Sequence, residues 1–246
     1  MNPQLKKQII EALKDQKEIF GDELFEEGIT KRKTIIVTEK KIPRPEEPEL
    51  FPGEKEEWEL AASLDELENL IKACTRCRLH EGRNKFVFGV GNPNTDVMVI
   101  GEGPGAEEDK QGLPFVGRAG QLLNEILKAI KFKREDVYIA NIIKCRPPGN
   151  RTPQPDEMET CLPYLKKQFD LIKPKLILCL GLTAAKGLLK KRESLTNMRG
   201  KVFEFETAKV MVTYHPAALL RNPNWKRGCW EDVQKFRELY DELVDG

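Results

Sequence analysis

Residues 96–141 decide the fold, because they contain in turn a strand pattern, a helix pattern and a second strand pattern. The first segment is DVMVIG at 96–101, the second is GQLLNEILKAI at 120–130, and the third is VYIAN at 137–141. The two outer segments are short and apolar, as in strands that are covered on both faces. The middle segment repeats its apolar residues at helical spacing. The pattern predicts parallel strands joined by a crossover helix.

The same alternation continues toward the C-terminus. Two further strand patterns, LILCLG at 176–181 and KVMVTYH at 209–215, are each followed by a helix pattern. Another helix pattern, PDEMETCLPYLKKQFDLI at 155–172, precedes them. The sequence therefore predicts an α/β fold with a mostly parallel four-stranded sheet between layers of helices. At the carboxyl edge of this sheet, where ligands gather, it places GEGPG, Asn141, GLT and His215.

Composition describes a soluble chain with an uneven distribution of charge. Of its 246 residues 33% are charged, and the mean hydropathy is −0.52. No apolar run reaches the roughly 18 residues of a membrane span, and the first residues do not resemble a secretion signal, so we expect a cytoplasmic protein. Residues 1–73 have a net charge of −6, and residues 74–246 have a net charge of +7. The basic part permits a polyanionic partner.

The chain divides near residue 57 into an appendage and a larger domain. Residues 4–20 predict a short amphipathic helix, and residues 31–57 hold four prolines among dense charges, which is typical of a flexible linker. We expect residues 1–57 to form no core and to offer their helix to a protein partner, because their negative charge repels phosphates. The domain at 58–246 begins with a helix at 63–73, capped by Ser63 with Glu66 as its partner.

Four of the six cysteines form two pairs. Cys74 and Cys77 stand one turn apart, and Cys145 and Cys161 are separated by 15 residues across a proline-rich loop. Four thiolates suit either a zinc ion or an iron–sulfur cluster, and the wide second spacing is less typical of zinc. A lone C-x-x-C pair is also typical of redox sites. The two remaining cysteines are interpreted as a core residue and an unliganded thiol: Cys179 and Cys229.

Three loops at the predicted ligand edge carry polar or aromatic residues. The run Gly101-Glu102-Gly103-Pro104-Gly105 resembles a dinucleotide-binding turn, but its proline and the acidic residues after it disfavour that interpretation. Its glycines instead let a planar ligand approach backbone amides, where Glu102 can orient a water. Phe115, in the constrained loop GLPFVG, is either a stacking platform for a nucleobase or a core residue. Asn141 and His215 end strands, where each either binds a ligand or completes the structure.

Four blocks of sequence, taken together and in order, resemble one known family. They are GEGPGAEED at 101–109, GLPFVGRAGQLLNEIL at 112–127, VYIANIIKCRPPGNRTPQPDEMETC at 137–161 and HPAALLR at 215–221. These blocks are similar to those of the family 4 uracil-DNA glycosylases, which are thermostable and contain iron and sulfur. The resemblance covers residues 74–243. It implies a three-layer α/β/α sandwich and a [4Fe–4S] cluster held by Cys74, Cys77, Cys145 and Cys161.

The resemblance also implies how the pocket residues remove uracil from DNA. The nucleotide is flipped out of the stack, Phe115 stacks on the uracil ring, and Asn141 binds its O4 and N3–H edge. His215 donates a hydrogen bond to O2 as negative charge grows there, and Glu102 places a water near C1′. The glycine turn contributes backbone amides to base binding at two further positions: Gly101 and Gly103.

The same resemblance implies the contacts to DNA, which is single- or double-stranded. The loop after His215 enters the minor groove, with Leu219 or Leu220 as the wedge and Arg221 near the phosphates. We expect the protein to act as a monomer. Basic residues that flank the motifs are further candidates for phosphate contacts: Arg118, Lys144, Arg146 and Arg151.

Two features depart from the pattern of the wider superfamily, and other functions stay open. Many relatives carry serine after the His-Pro pair, whereas Ala217 and Ala218 follow it here, so a contact from serine to phosphate is either missing or supplied by another group. Gly103 stands where the best-known uracil glycosylases carry a catalytic aspartate, so activation of the water must differ here. The alternatives are a non-catalytic metal or iron–sulfur module that binds nucleic acid, and a glycosylase of broader base specificity. Electron transfer is disfavoured, because the C-x2-C-x2-C spacing of ferredoxins is absent.

Overall fold

The computed structural model describes residues 56–244, which lie in one compact unit, Gly53–Gly246. The helix, the linker and the partner site that the sequence predicts within residues 1–57 therefore fall outside the described residues, except for Glu56 and Glu57. Between residues 56 and 244, no helix combines the length and the apolar character that a membrane span requires.

The described residues alternate between strands and helices along the chain. Strands β1 to β6 are Val90–Gly91, Val97–Gly101, Tyr138–Asn141, Leu176–Leu180, Val202–Phe205 and Ala208–Thr213. Helices α1 to α8 are Leu64–Ile71, Ala106–Gln111, Arg118–Ala129, Pro155–Ile172, Leu182–Leu189, Leu195–Met198, Pro216–Arg221 and Lys226–Val244. The strand and helix patterns of the sequence are confirmed within a few residues at each end.

The sheet has six strands in the order β1-β3-β2-β4-β6-β5, so the prediction of four strands was wrong in number. The inner four are parallel as predicted, and one antiparallel strand is added at each edge. Strand β1 has only two residues, which is too short to leave a pattern. Strand β5 joins β6 through Glu206 and Thr207, with φ +49° at Glu206. Such a turn normally holds glycine or asparagine, and neither is present to signal a hairpin.

Successive residues of the central strands pack into two cores on opposite faces of the sheet. Val97 and Val99 belong to a core that includes Leu123 of α3 and Phe236 of α8. Met98 and Ile100 belong to the other core, which includes residues of α1, α4 and α5. This alternation follows the twofold period of a strand, and it produces the expected three-layer sandwich.

The parallel register brings the ends of the inner strands to one edge. Gly101 at the end of β2 pairs with Asn141 at the end of β3. The Gly181 N–H after β4 donates to the Thr213 carbonyl at the end of β6, at 2.8 Å. His215 follows β6 by two residues, so the segments GEGPG, Asn141, GLT and His215 all leave the sheet at this edge.

Helix α1 begins as predicted and leads to the first pair of cysteines. The Ser63 hydroxyl accepts from the Glu66 N–H at 3.2 Å. The Glu66 carboxylate accepts from the Ala62 N–H at 2.7 Å, one residue earlier than in a standard capping box. The first bond satisfies an amide that the first turn of a helix leaves free, and the second fixes the chain just before the cap.

Candidate functional site

A cavity of about 320 Å³ opens at the carboxyl edge of the parallel strands. Its volume lies at the lower end of the range for small-molecule pockets, about 300–1,000 Å³. Gly101 lies next to Asn141 and is not itself a lining residue. The wall includes seven residues to which the sequence analysis gave a role: Glu102, Gly103, Phe115, Asn141, Arg151, His215 and Arg221.

Asn141 lines this cavity and has a buried polar atom that is unsatisfied. The residue is only 2% exposed, and its Oδ1 has no hydrogen-bond partner among residues 56–244. A Cβ atom at Gly101 would collide with this oxygen and lie 2.6 Å from Phe115 Cζ. Because glycine at 101 has no Cβ, the Asn141 amide and the Phe115 ring can both pack against it. A buried carbonyl oxygen without a donor is costly, and a ligand N–H would satisfy it.

Phe115 is held in a backbone conformation that few residues adopt. Its φ is +52°, in the left-handed region, where a non-glycine residue is uncommon. The Arg134 guanidinium donates to the carbonyl oxygens of Phe115 at 3.1 Å and Pro114 at 2.5 Å, which fixes this turn. The Phe115 ring centroid lies 5.5 Å from that of His215, with 31° between the planes. The turn thus holds an aromatic ring against the cavity.

Glu108 joins the two loops that form this side of the cavity. Its carboxylate accepts from the Gly105 N–H at 3.1 Å and from the N–H groups of Val116 and Gly117 at 2.9 Å each. Sequence analysis treated the acidic residues here only as an argument against phosphate binding. The signal that was missed is the G-x-x-E spacing at the start of α2, which places a carboxylate over the first turn of the helix.

The hydrogen bonds of His215 define its tautomer. His215 caps helix α7, and its Nδ1 accepts from the Ala217 N–H at 3.1 Å. Because a backbone amide can only donate, Nδ1 carries no proton and the neutral ring carries its proton on Nε2. Burial lowers the pKa of His215 to about 4; Arg221 adds to this lowering and Glu108 opposes it. The ring is therefore a neutral donor at neutral pH.

Glu102 is a carboxylate in the wall of the cavity, and burial affects its protonation. Burial raises the pKa of Glu102, and a hydrogen bond from Thr183 partly offsets this effect. Thr183 lies in the first turn of helix α5, which begins just after β4, so the ends of two neighbouring strands position this carboxylate. The adjacent position 103 is restricted to glycine, because a Cβ atom there would lie 2.6 Å from Ile143 Cγ1.

Helix α7 separates the two leucines that the sequence could not distinguish. Leu219 is 1% exposed and belongs to the core on the α3 and α8 face, so its predicted role as a wedge was wrong. Leu220 is 38% exposed. Neighbouring residues of a helix point in directions about 100° apart, which buries one leucine and exposes the next.

One of the basic residues expected to touch phosphates is inside the protein. Lys144 is fully buried, and its Nζ donates to Gln168 Oε1 at 2.6 Å. Burial lowers its pKa to about 8. Its assignment as a phosphate contact was therefore wrong. Arg151 lines the cavity, but its two terminal nitrogens bind the buried Glu157 carboxylate at 2.8 and 2.6 Å.

The four paired cysteines lie in or against one core, close enough to affect one another's charge. Cys145 and Cys161 are buried there, and Cys74 and Cys77 pack against it. Burial is the main cause that raises the pKa of Cys77, Cys145 and Cys161, and neighbouring thiols of the set add to it in each case. Within residues 56–244, no group of three or more His, Cys, Asp and Glu side chains is arranged to hold a metal ion.

Donors from the surrounding chain point at three of these sulfurs. The Lys144 N–H donates to Cys161 Sγ at 3.3 Å, and the Tyr164 hydroxyl donates to Cys74 Sγ at 3.3 Å. Arg83 donates to Cys145 Sγ at 3.1 Å and to the Cys74 carbonyl at 2.7 Å, which connects the two pairs. Hydrogen bonds of this kind stabilise sulfur in its thiolate form.

Comparison with known proteins finds one family over most of the described chain. The family model described as the uracil DNA glycosylase superfamily matches residues 88–239. The match begins just before β1 and ends within α8, so it contains the whole sheet and every cavity residue named above.

Three relatives with the same name are similar over about 70% of this chain. The type-4 uracil-DNA glycosylase of Pyrobaculum aerophilum is 46% identical over 181 residues, which are 70% of this chain and 92% of that protein. The type-4 enzyme of Thermotoga maritima is 47% identical, over 69% of this chain and 90% of its own length. That of Archaeoglobus fulgidus is 43% identical, over 72% and 93% respectively.

Proposed function

This chain belongs to the uracil DNA glycosylase superfamily, among its type-4 members, and from that premise we propose that its cavity excises uracil from DNA. The reaction hydrolyses the N-glycosidic bond, releases free uracil and leaves an abasic site for base excision repair. Because this bond lies inside the base stack of a duplex, the nucleotide must leave the stack to reach the cavity.

The observation that carries this proposal is the unpaired Oδ1 of Asn141. Uracil offers an N3–H donor beside the O4 acceptor, and the Asn141 amide offers the complementary acceptor and donor. Cytosine has an acceptor at N3 and a donor at position 4. In the same orientation, the amide oxygen would face the N3 acceptor and the amide NH₂ would face the amino donor. The Phe115 ring supplies a face on which the bound pyrimidine can stack, and its strained turn keeps that face in place.

His215 acts on the leaving base. When the bond between C1′ and N1 breaks, the electron pair stays on the uracil ring and negative charge develops on O2. The Nε2–H of neutral His215 donates a hydrogen bond to O2, and backbone amides of the glycine turn can add to it. A donor fixed in advance stabilises such a charge more in the transition state than in the ground state.

Glu102 acts on the water that replaces the base. The water oxygen forms the new bond to C1′, and its proton passes to the Glu102 carboxylate or onward to solvent. The ionised carboxylate is the stronger acceptor for the water's hydrogen, and only this form can take up the proton. Because burial raises the pKa of Glu102, we expect this role to weaken in acid at a higher pH than an exposed glutamate would show.

The chain after His215 is the part of the site that we assign to the DNA backbone and stack. Leu220 is the exposed leucine, and we assign it to the space left by the flipped nucleotide. Arg221 lines the cavity and can bind a phosphate beside it. The DNA is single- or double-stranded, and the protein acts as a cytoplasmic monomer.

An oligonucleotide with a single uracil tests the proposal directly. We expect the purified chain to release free uracil and to leave a site that hot alkali cleaves. The matched controls replace that uracil by cytosine or by thymine, and they should stay uncleaved. Binding of the oligonucleotide without any release of uracil would instead support a non-catalytic nucleic-acid module, and release of other bases would support a broader glycosylase.

We also propose that the four paired cysteines hold a [4Fe–4S] cluster. Four thiolates are the usual ligand set of such a cluster, and these four share one buried region with donors aimed at the sulfurs. Buried thiols with raised pKa values ionise readily only beside a compensating positive charge, which iron supplies. When bound, the cluster would tie the start of the domain to the loop at 145–161. The residues of the cavity perform the reaction.

Iron content tests this cluster. Anaerobically purified protein should be brown and contain about four irons per chain. The variants C77S and C161S should lose most of this iron, because each removes one of the four thiolates. The matched control is C179A, which removes a buried thiol of strand β4 outside the set and should keep the iron. Zinc in place of iron, or iron loss in C179A equal to that in C161S, would contradict the assignment.

A further inference from the structure

An exposed tryptophan follows helix α7 in the chain and takes no part in the chemistry described above. Trp225 ends the short 3-10 turn Pro223–Trp225, which directly follows helix α7. It is 42% exposed, although an indole is among the largest apolar groups a protein can bury. Its ring stacks on that of Tyr214, with 5.1 Å between the centroids and 16° between the planes.

A network of buried polar contacts holds Tyr214 beneath this indole. The Arg199 guanidinium lies 4.0 Å from the Tyr214 ring centroid and donates to its hydroxyl at 2.7 Å. Arg199 is fixed in turn by Asp232, which accepts from Arg199 Nε at 2.7 Å and from the Thr213 hydroxyl at 2.8 Å. The indole therefore rests on a rigid support, and its orientation is set before any ligand arrives.

The order of residues from the cavity to Trp225 matches the order of groups along a DNA strand. His215 and Arg221 line the cavity, and Trp225 follows Arg221 by four residues. Along a strand, a base in the cavity is followed by a phosphate and then by the next base. Arg221, Lys226 and Arg227 are exposed and lie within four residues of Trp225 in the chain, and Arg227 also pairs with Glu231 at 3.3 Å, so this segment carries positive charge that suits phosphates.

We propose that Trp225 is a stacking site for the nucleobase next to the flipped uracil on the same strand. This inference rests on the proposed function, because it takes the uracil to be in the cavity. Flipping removes the uracil from the stack and leaves the neighbouring base with one uncovered face. An exposed indole can cover that face whatever the base is, since every base has a π-face.

Binding of modified single-stranded oligonucleotides tests the site. Each carries 2′-fluoro-2′-deoxyuridine, which resists excision. One oligonucleotide has normal neighbours, a second has an abasic residue on the 5′ side, and a third has an abasic residue on the 3′ side. The wild-type chain should bind about tenfold more weakly when the base on one of these sides is missing. In W225A this difference should disappear, and in W225F, which keeps a ring, most of it should return.

The matched control is W230A, because Trp230 is equally exposed at 43% but lies within helix α8. It should keep the wild-type difference. The proposal would be overturned if W225A kept the difference as well, or if W230A lost it to the same extent. Excision of uracil at saturating enzyme is measured separately, and the control W230A should match the wild type. A chain that shows the tenfold difference but releases no uracil would contradict the proposed function and leave this site standing.

Discussion

Replacing His215 by asparagine should lower the single-turnover rate of uracil excision by about 100-fold or more, with little change in melting temperature. Asparagine is a good N-cap residue, and its Oδ1 can accept from the Ala217 N–H as the His215 Nδ1 does. It is too short to place a donor where Nε2–H stands. Loss of one donor to a developing anion typically costs about 2.7–4 kcal/mol of transition-state stabilisation. H215A, which removes both contacts, should lose melting temperature as well as rate.

The pH dependence separates this role from that of a protonated histidine. With a pKa of about 4, His215 stays neutral as the pH falls through the ordinary histidine range near 6.5. The ratio of the wild-type rate to the H215N rate should therefore stay constant between about pH 5.5 and 8. A ratio that changes severalfold between about pH 6 and 7 would show that the imidazole titrates there, and would contradict a neutral donor.

The sheet and most of the cavity could be predicted because their signals are local. The inner strands are apolar runs, and a polar residue that ends such a run, such as Asn141, must emerge at the carboxyl edge. His215 follows the same logic after β6. The six-residue helix α7 also shows where this logic stops. Leu219 and Leu220 are chemically equal in sequence, and only the direction in which the helix packs buries the first and exposes the second.

The features that sequence analysis missed depend on residues far apart in the chain. Lys144 flanks a motif and is for that reason a predicted phosphate contact, although the structure buries it. Its burial depends on Gln168, which lies 24 residues later in helix α4 and accepts its hydrogen bond. The hydrogen bond from Arg134 to Phe115 could not be predicted either. The two residues are 19 positions apart, and the acceptor is a backbone carbonyl oxygen, a group that every residue has. Contacts of this kind leave no pattern in one sequence.

Replacing Asn141 by alanine should reduce kcat/KM for uracil by about 100-fold or more. The change removes both the acceptor for N3–H and the donor to O4 from a site that is closed to water. Each unpaired polar group in such a site costs about 1–3 kcal/mol, so the loss of two contacts accounts for the expected effect. The fold should not suffer, because Asn141 Oδ1 has no partner among the described residues to lose.

The variant N141D gives the sharper test, because it keeps the shape of the side chain and changes its hydrogen bonding. An ionised aspartate can accept from N3–H but cannot donate to O4, and it places a negative charge against that oxygen. We expect N141D to excise uracil at least as poorly as N141A, with a melting temperature near that of the wild type. Single-turnover excision from uracil oligonucleotide, measured with thermal unfolding of the same samples, checks both statements. Wild-type excision by either variant would mean that the base is recognised elsewhere in the cavity, and the unpaired oxygen would then need another explanation.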